Sequence, residues 1–132
     1  MSAAHLLVRT GDMVAALPAA AVRRVVQTPR LHPLPGAGGG LLGLVEFAGE
    51  PLAVLDLARL LGAAGEEGAA RQVTVVAWAG AAEDRELLGL AVDEALEVIE
   101  LDVAAAGAGG ELLARDRPVR LVDLESLGGE GG

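Results

Sequence analysis

The chain has 132 residues and a formal net charge of −9, with 52% hydrophobic residues and only two aromatic side chains, Phe47 and Trp78. This length fits one domain, and the hydrophobic content is too high for a disordered chain. Cysteine and lysine are absent, which excludes disulfides, thiol nucleophiles, zinc-thiolate sites and Schiff-base chemistry. The acidic charge argues against nucleic acid and anionic membrane surfaces as partners.

Short hydrophobic stretches separated by glycine, proline and acidic turns predict an all-β chain. Helical turns are predicted at 19–21, 56–61, 93–96 and 123–127, and loops at 28–40, 62–70 and 103–110. Strand 71–79 is hydrophobic on both faces, which predicts a central strand covered on both sides, with Trp78 in the core. The predicted strands are 5–10, 13–17, 22–27, 41–48, 51–55, 71–79, 86–92, 97–101, 111–115 and 118–122.

The N-terminus lacks the basic and hydrophobic regions of a secretory signal. No hydrophobic run approaches the ~18 residues that a membrane helix needs. We therefore expect a cytoplasmic protein that does not insert into a membrane.

An internal repeat relates residues 43–62 to residues 110–129 without gaps, at an offset of 67. In both copies a hairpin leads into a strand that ends in Asp-Leu, where the carboxylate of Asp56 or Asp123 can cap a short helix. The repeat predicts two similar β lobes of about half the chain each. Because such small lobes bury little surface alone, they are expected to share one core. We expect one domain over residues 1–127 and a flexible tail at 128–132.

The charge is unevenly divided between the two halves. Residues 1–66 contain five arginines and five acids, whereas residues 67–132 contain five arginines and 14 acids. The lobe built from the second half is therefore expected to be acidic. Two interpretations remain open, in which the acids either keep the domain soluble or steer partners.

The order of several short segments resembles the CheW-like domain of bacterial chemotaxis over about residues 5–127. These segments are ALPAAAVRRVV (16–26), HPLPG (32–36), LLGLVEFAGEPLAVLDL (41–57), LGLAVDEALEVIEL (88–101) and RPVRLVDLESL (117–127). The resemblance implies two SH3-like five-stranded β-barrel lobes around a shared core, with no catalysis, cofactor or metal. It also implies an adaptor that joins chemoreceptor signalling tips to the regulatory domain of a CheA-type histidine kinase and assembles with other CheW-like domains.

The resemblance also assigns a partner-binding surface, and the chain departs from the family there. Ala48 stands where the family usually has an arginine implicated in receptor contact, and Arg24 stands where an acid is common. Between Leu101 and Glu111 a stretch with an extra strand is missing. We therefore predict an altered receptor-facing groove and weakened kinase binding. The residues assigned to the surface are Val22, Arg24, Val26, Leu44, Glu46, Phe47 and Ala48.

Other interpretations compete at several positions. The valines of strand 22–27 could be core residues, because neighbours on a strand face opposite ways. Phe47 could be an exposed anchor or a buried plug. Asp56 and Asp123 could serve a small carboxylate-dependent enzyme, but their repeat-related positions favour capping. A β-barrel interaction module outside chemotaxis is the other alternative.

Overall fold

The computed structural model describes residues 2–33, 40–63, 71–81 and 83–127. The predicted tail at 128–132, most of the 62–70 loop and the middle of the 28–40 loop lie outside these residues. The strands are β1 (Ser2–Thr10), β2 (Met13–Pro18), β3 (Val22–Gln27), β4 (Leu41–Phe47), β5 (Glu50–Asp56), β6 (Val73–Ala79), β7 (Glu86–Val92), β8 (Glu94–Asp102), β9 (Glu111–Ala114) and β10 (Arg117–Leu121). One α-helix, α1, spans Leu57–Leu61, and three 3-10 helices span Ala19–Ala21, Val103–Ala105 and Leu124–Ser126.

The ten strands form two five-stranded sheets, and these make up two small SH3-like β-barrel lobes, as predicted. Barrel A has the strand order β8-β1-β2-β10-β9, and barrel B has the order β3-β6-β7-β5-β4. Most neighbouring strands are antiparallel, but β10 pairs with β2 and β5 pairs with β7 in parallel. Parallel neighbours need a crossover connection, so each barrel combines strands that are distant in the sequence.

The two barrels are not built from the two halves of the chain, which corrects the lobes expected from the repeat. Barrel A takes its first hairpin, β1–β2, from the N-terminus and its other three strands from residues 94–121. Barrel B consists of β3 to β7, so its β6–β7 hairpin comes from the second half. The first hairpin of each half therefore joins strands of the other half: β1–β2 joins β8, β9 and β10, and β6–β7 joins β3, β4 and β5.

This strand exchange also corrects the expected charge division. Residues 1–18 and 93–132, which contain barrel A, have 11 acids and four arginines, a net charge of −7. Residues 19–92, which contain barrel B, have eight acids and six arginines, a net charge of −2. Barrel A is the acidic lobe, and it includes the N-terminal hairpin that the division by halves had placed in the neutral lobe.

A shared hydrophobic cluster packs between the barrels along a surface that we call the seam. The central strand β6 contributes to it through Val75 and Ala77, while Val76 faces a separate cluster inside barrel B, so β6 is covered on both faces as predicted. Barrel A has its own cluster around Leu7 and Leu101. The buried members of the shared cluster are Leu6, Val8, Ala15, Leu17, Leu57, Val75, Ala77, Leu90, Val92, Val122 and Leu124.

Two local predictions were wrong. The helical turn predicted at 93–96 is the start of β8, which pairs with β1 from Glu94 onward through a bulge. A bulge admits an extra residue without ending the ladder, so the polar break does not start a helix. Trp78 does not fill the core, because its ring is only partly buried and the Arg85 guanidinium lies 4.6 Å from its centroid.

Candidate functional site

The predicted partner-binding residues lie on the two edge strands of barrel B. On β3, Arg24 is exposed, whereas Val22 and Val26 are half-buried and Val22 packs against the shared cluster. The ladder with β6 is bulged between Val22 and Arg24. Val25, which was not among the predicted site residues, is 43% exposed. Within the described residues, no strand pairs with the outer edge of β3.

The second group of predicted residues lies on β4 and the hairpin that follows it. The Leu44 amide donates to the His32 carbonyl at 3.0 Å, and the His32 amide donates to the Leu44 carbonyl at 2.8 Å. Phe47 is partly buried and packs against the cluster inside barrel B, whereas Glu46 is exposed. Ala48 is exposed at the hairpin tip with a φ of 53°.

The structure therefore brings the two groups into one sheet but places them on its opposite edges. Arg24 lies on β3 and Ala48 at the β4–β5 tip, the two positions at which the chain departs from the family pattern. The segment after β3 reaches β4 through the bridge between His32 and Leu44.

Asp56 and Asp123 both cap helices. The Ala58 amide donates to Asp56 Oδ1 at 3.2 Å, and the Glu125 amide donates to Asp123 Oδ1 at 3.1 Å. Gly62 ends α1 in the left-handed conformation, with a φ of 70°. The described residues contain no group of three His, Cys, Asp or Glu side chains that could hold a metal ion.

The structure adds a buried ionic network that sequence reasoning missed, which we call the Arg71 network. It consists of Asp56, Arg71 and Asp93, whose side chains are 9%, 7% and 20% exposed. Arg71 Nε donates to Asp56 Oδ1 at 3.4 Å, and Arg71 Nη1 donates to Asp93 Oδ1 at 2.9 Å. The Gly11 amide donates to Asp93 Oδ2 at 2.7 Å.

Pairing makes this burial tolerable, because the Arg71 guanidinium contacts both carboxylates and Arg9 Nη1 lies 3.8 Å from Asp93 Oδ2. Burial alone would lower the pKa of Arg71. The hydrogen bond to Asp93 and the charges of Asp56 and Asp93 outweigh it and raise the pKa above the ordinary arginine value. Arg71 therefore remains a cation under all ordinary conditions.

The network lies where the chain passes between the barrels. Asp56 ends β5 of barrel B, Asp93 separates β7 from β8, and Gly11 is in the β1–β2 turn of barrel A. The Asp93 amide also donates to the Arg9 carbonyl at 2.9 Å. One feature of the sequence could have indicated the network, namely that Asp93 lies directly between β7 and β8, which belong to different sheets. That feature becomes visible only after the sheets are known.

Among the described residues, three clefts lie away from the predicted surface. One of about 980 Å³ opens in barrel A over Val14, Leu96 and Leu112. A second, of about 620 Å³, lies between α1 and the C-terminal end of barrel A and is lined by the buried His5. The third, of about 370 Å³, lies beside Trp78 and Asp123. Within the described residues, no helix has the length and hydrophobicity that crossing a membrane requires.

Comparison with known proteins agrees with this architecture. A family model described as the CheW-like domain matches residues 4–128. Among solved structures, the chain is similar to the scaffolding protein TtCheW from Thermoanaerobacter tengcongensis, with a TM-score of 0.80 and 16% sequence identity. That alignment covers 100% of this chain and 97% of the other, and at this identity it shows the fold. No curated protein matches the sequence.

Proposed function

Because this chain belongs to the CheW-like domain family, we propose that it is a non-enzymatic adaptor of a chemotaxis-type signalling system. It joins the signalling tip of a methyl-accepting chemoreceptor to the regulatory domain of a CheA-type histidine kinase and assembles with other CheW-like domains. The observation that carries this proposal is the family match over nearly the whole chain. The two-barrel fold and the absence of cysteine and lysine support a binding role over catalysis.

The receptor-facing residues in this proposal form two parts on opposite edges of the sheet of barrel B, the β3 edge and the β4–β5 hairpin. An open strand edge offers backbone donors and acceptors to a partner, and Val25 adds exposed hydrophobic surface. Arg23 and Arg24 make this edge basic, and both are exposed. An acidic overall charge with a basic edge favours a partner that is acidic at the point of contact.

In this proposal the kinase contacts barrel A near β9, and this contact is weakened. Only residues 103–110 connect β8 to β9, and β9 has four residues. A short β9 presents little edge for another barrel to contact. The net charge of −7 over the residues that contain barrel A adds repulsion toward any acidic partner.

Separate titrations test the two halves of the proposal. The labelled full chain is titrated with a receptor signalling tip and, independently, with the kinase regulatory domain, both from the same organism. We expect receptor binding to be retained and kinase binding to be weak. Tight kinase binding with normal array assembly would contradict the weakened contact. Failure to bind either partner would favour an interaction module outside chemotaxis.

Charge reversal on the β3 edge locates the receptor contact. Arg24→Glu is expected to weaken receptor binding by about tenfold, mainly through slower association, because an exposed charge near an interface acts on encounter. Arg117→Glu makes the same charge change on an exposed residue of barrel A and is the matched control. Equal effects of the two variants, measured by surface plasmon resonance at two salt concentrations, would remove β3 from the contact.

A further inference from the structure

The two ends of the seam are fastened differently, although the repeat makes them counterparts. Asp56 at one end corresponds to Asp123 at the other through the repeat, and Gly11 and Gly80 are each the first residue after the first strand of the hairpins β1–β2 and β6–β7. At the first end, the Gly11 amide donates to the Asp93 carboxylate at 2.7 Å. At the second end, the Gly80 amide donates to the Leu124 backbone carbonyl at 2.9 Å.

The Arg71 network occupies one end, and an open cleft occupies the other. Among the described residues, no arginine reaches Asp123, whose side chain accepts from the Glu125 amide and is exposed. The cleft of about 370 Å³ is lined by Asp123, Gly80 and Leu124, together with Trp78 and with Arg85, whose guanidinium lies 4.6 Å from the Trp78 ring centroid. It lies at the position that corresponds, through the repeat, to the place that Arg71 fills.

From this asymmetry we infer that Arg71 is a latch that fixes barrel A to barrel B at one end of the seam, so that relative motion of the barrels pivots there and opens the cleft beside Trp78. Arg71 lies just before β6 of barrel B and contacts Asp56 of the same barrel. It reaches barrel A through Asp93, whose carboxylate accepts from the Gly11 amide and lies 3.8 Å from Arg9 Nη1. A guanidinium suits this task because its rigid fork can contact two carboxylates at once. Because the network is buried, salt in the solvent screens it little.

The shared cluster does not by itself fix the orientation of the barrels. Hydrophobic contact is non-directional, so packed layers can slide if nothing else constrains them. Hydrogen bonds do depend on direction, and the Asp93 carboxylate accepts two of them, from the Gly11 amide at 2.7 Å and from Arg71 Nη1 at 2.9 Å. In the described residues only the Arg71 end combines such bonds with buried opposite charges, so that end resists rotation most strongly.

The inference does not depend on the proposed function, and it is tested on the isolated chain in solution. Amide hydrogen exchange and residual dipolar couplings are measured by NMR on isotopically labelled protein. In the wild-type chain the Gly80 amide is expected to exchange on the order of tenfold faster than the Gly11 amide, because the Gly80 end opens more often. Comparable slow exchange at both glycines would overturn the inference.

Arg71→Met removes the latch while keeping most of the side-chain volume. The Gly11 and Ala58 amides are expected to lose protection by on the order of tenfold. In the wild type, one alignment tensor should fit the residual dipolar couplings of both barrels. In Arg71→Met the two barrels are expected to need separate tensors, while the couplings within each barrel still fit its own structure as well as before. A general loss of stability would not separate the tensors, so this readout distinguishes a latch from ordinary packing.

A matched control and a milder variant complete the test. Arg115→Met removes an exposed arginine whose Nη1 lies 2.8 Å from Glu97 Oε1 within barrel A, and it is expected to leave the tensors and Gly11 unchanged. If Arg71→Met does not fold, the same exchange and coupling measurements are made on Arg71→Lys. An ammonium cannot reproduce the contact with both carboxylates, so the same changes are expected. Wild-type exchange at Gly11 and a single tensor in Arg71→Lys, or in a folded Arg71→Met, would overturn the inference.

Discussion

The hairpin-and-cap unit occurs twice in this molecule, and the two copies differ in what surrounds them. Asp56 and Asp123 accept nearly the same backbone hydrogen bond, at 3.2 and 3.1 Å. Asp56 is buried and also contacts Arg71, whereas Asp123 is exposed and has no arginine beside it in the described structure. A repeat thus preserves the local structure that its residues encode, while neighbours from elsewhere in the chain decide how much each copy contributes to stability.

Substitution of the two capping aspartates by serine gives the largest expected contrast. Serine can still cap, so Asp123→Ser is expected to change the free energy of unfolding by less than about 0.5 kcal/mol. Asp56→Ser removes one partner of a buried ion pair and is expected to cost about 3 kcal/mol. Urea denaturation of both variants measures the difference. Equal costs would show that the Arg71 network contributes no stability beyond the cap.

Glycines at equivalent positions of the two hairpins provide the next contrast. A Cβ on Gly43 would lie 2.7 Å from the His32 carbonyl oxygen, whereas one on Gly110 would lie 3.2 Å from the Leu121 carbonyl oxygen. Both glycines have positive φ, so alanine is strained at either site. We expect Gly43→Ala to cost about 2 kcal/mol and Gly110→Ala about 1 kcal/mol by thermal denaturation. A larger cost at Gly110 would contradict the close approach of the His32 segment to β4.

The two hairpin tips are expected to show the smallest difference in stability, and substitution there should stabilise the chain. Ala48 and Arg115 occupy equivalent tips with φ of 53° and 54°, in two-residue turns that favour asparagine. Ala48→Asn is expected to stabilise the chain by about 1 kcal/mol, because asparagine tolerates this conformation better than alanine.

Arg115→Asn should stabilise the chain less than Ala48→Asn does, because it also removes the exposed contact with Glu97, which is worth about 0.5 kcal/mol. The melting temperatures of the two variants test the order. An equal or larger gain from Arg115→Asn would show that the exposed pair contributes nothing.

Local patterns in the sequence predicted the strands well but could not predict their partners. The bounds of β2, β3 and β7 follow from alternating and hydrophobic runs that turn residues interrupt, which are properties of neighbouring residues. The exchange of hairpins between the halves depends on pairing between distant strands, such as β1 with β8, and no local pattern records that pairing. The same limit explains why residues 93–96 were predicted as a helical turn, since the role of Asp93 as an acceptor depends on Gly11, which is far away in the sequence.

The candidate surface was predicted only through family resemblance, and the Arg71 network was not predicted. In the sequence, Arg71 is a single cation at the end of a Gly/Ala/Glu loop, and nothing near it indicates burial. Its two partners lie 15 and 22 residues away. Trp78 was assigned to the core on hydrophobicity alone, but its position near the end of β6 leaves its ring partly exposed, with the Arg85 guanidinium lying over it.

The strand exchange has a consequence for the order in which the chain is completed during synthesis. All strands of barrel B lie between residues 22 and 92, so that lobe has every strand it needs before β8 leaves the ribosome. The β1–β2 hairpin, made before the strands of barrel B, must wait for β8 and β10 before it has its neighbours on either side. Until then the hydrophobic residues of β1 and β2 remain exposed, a state that favours aggregation in nascent chains.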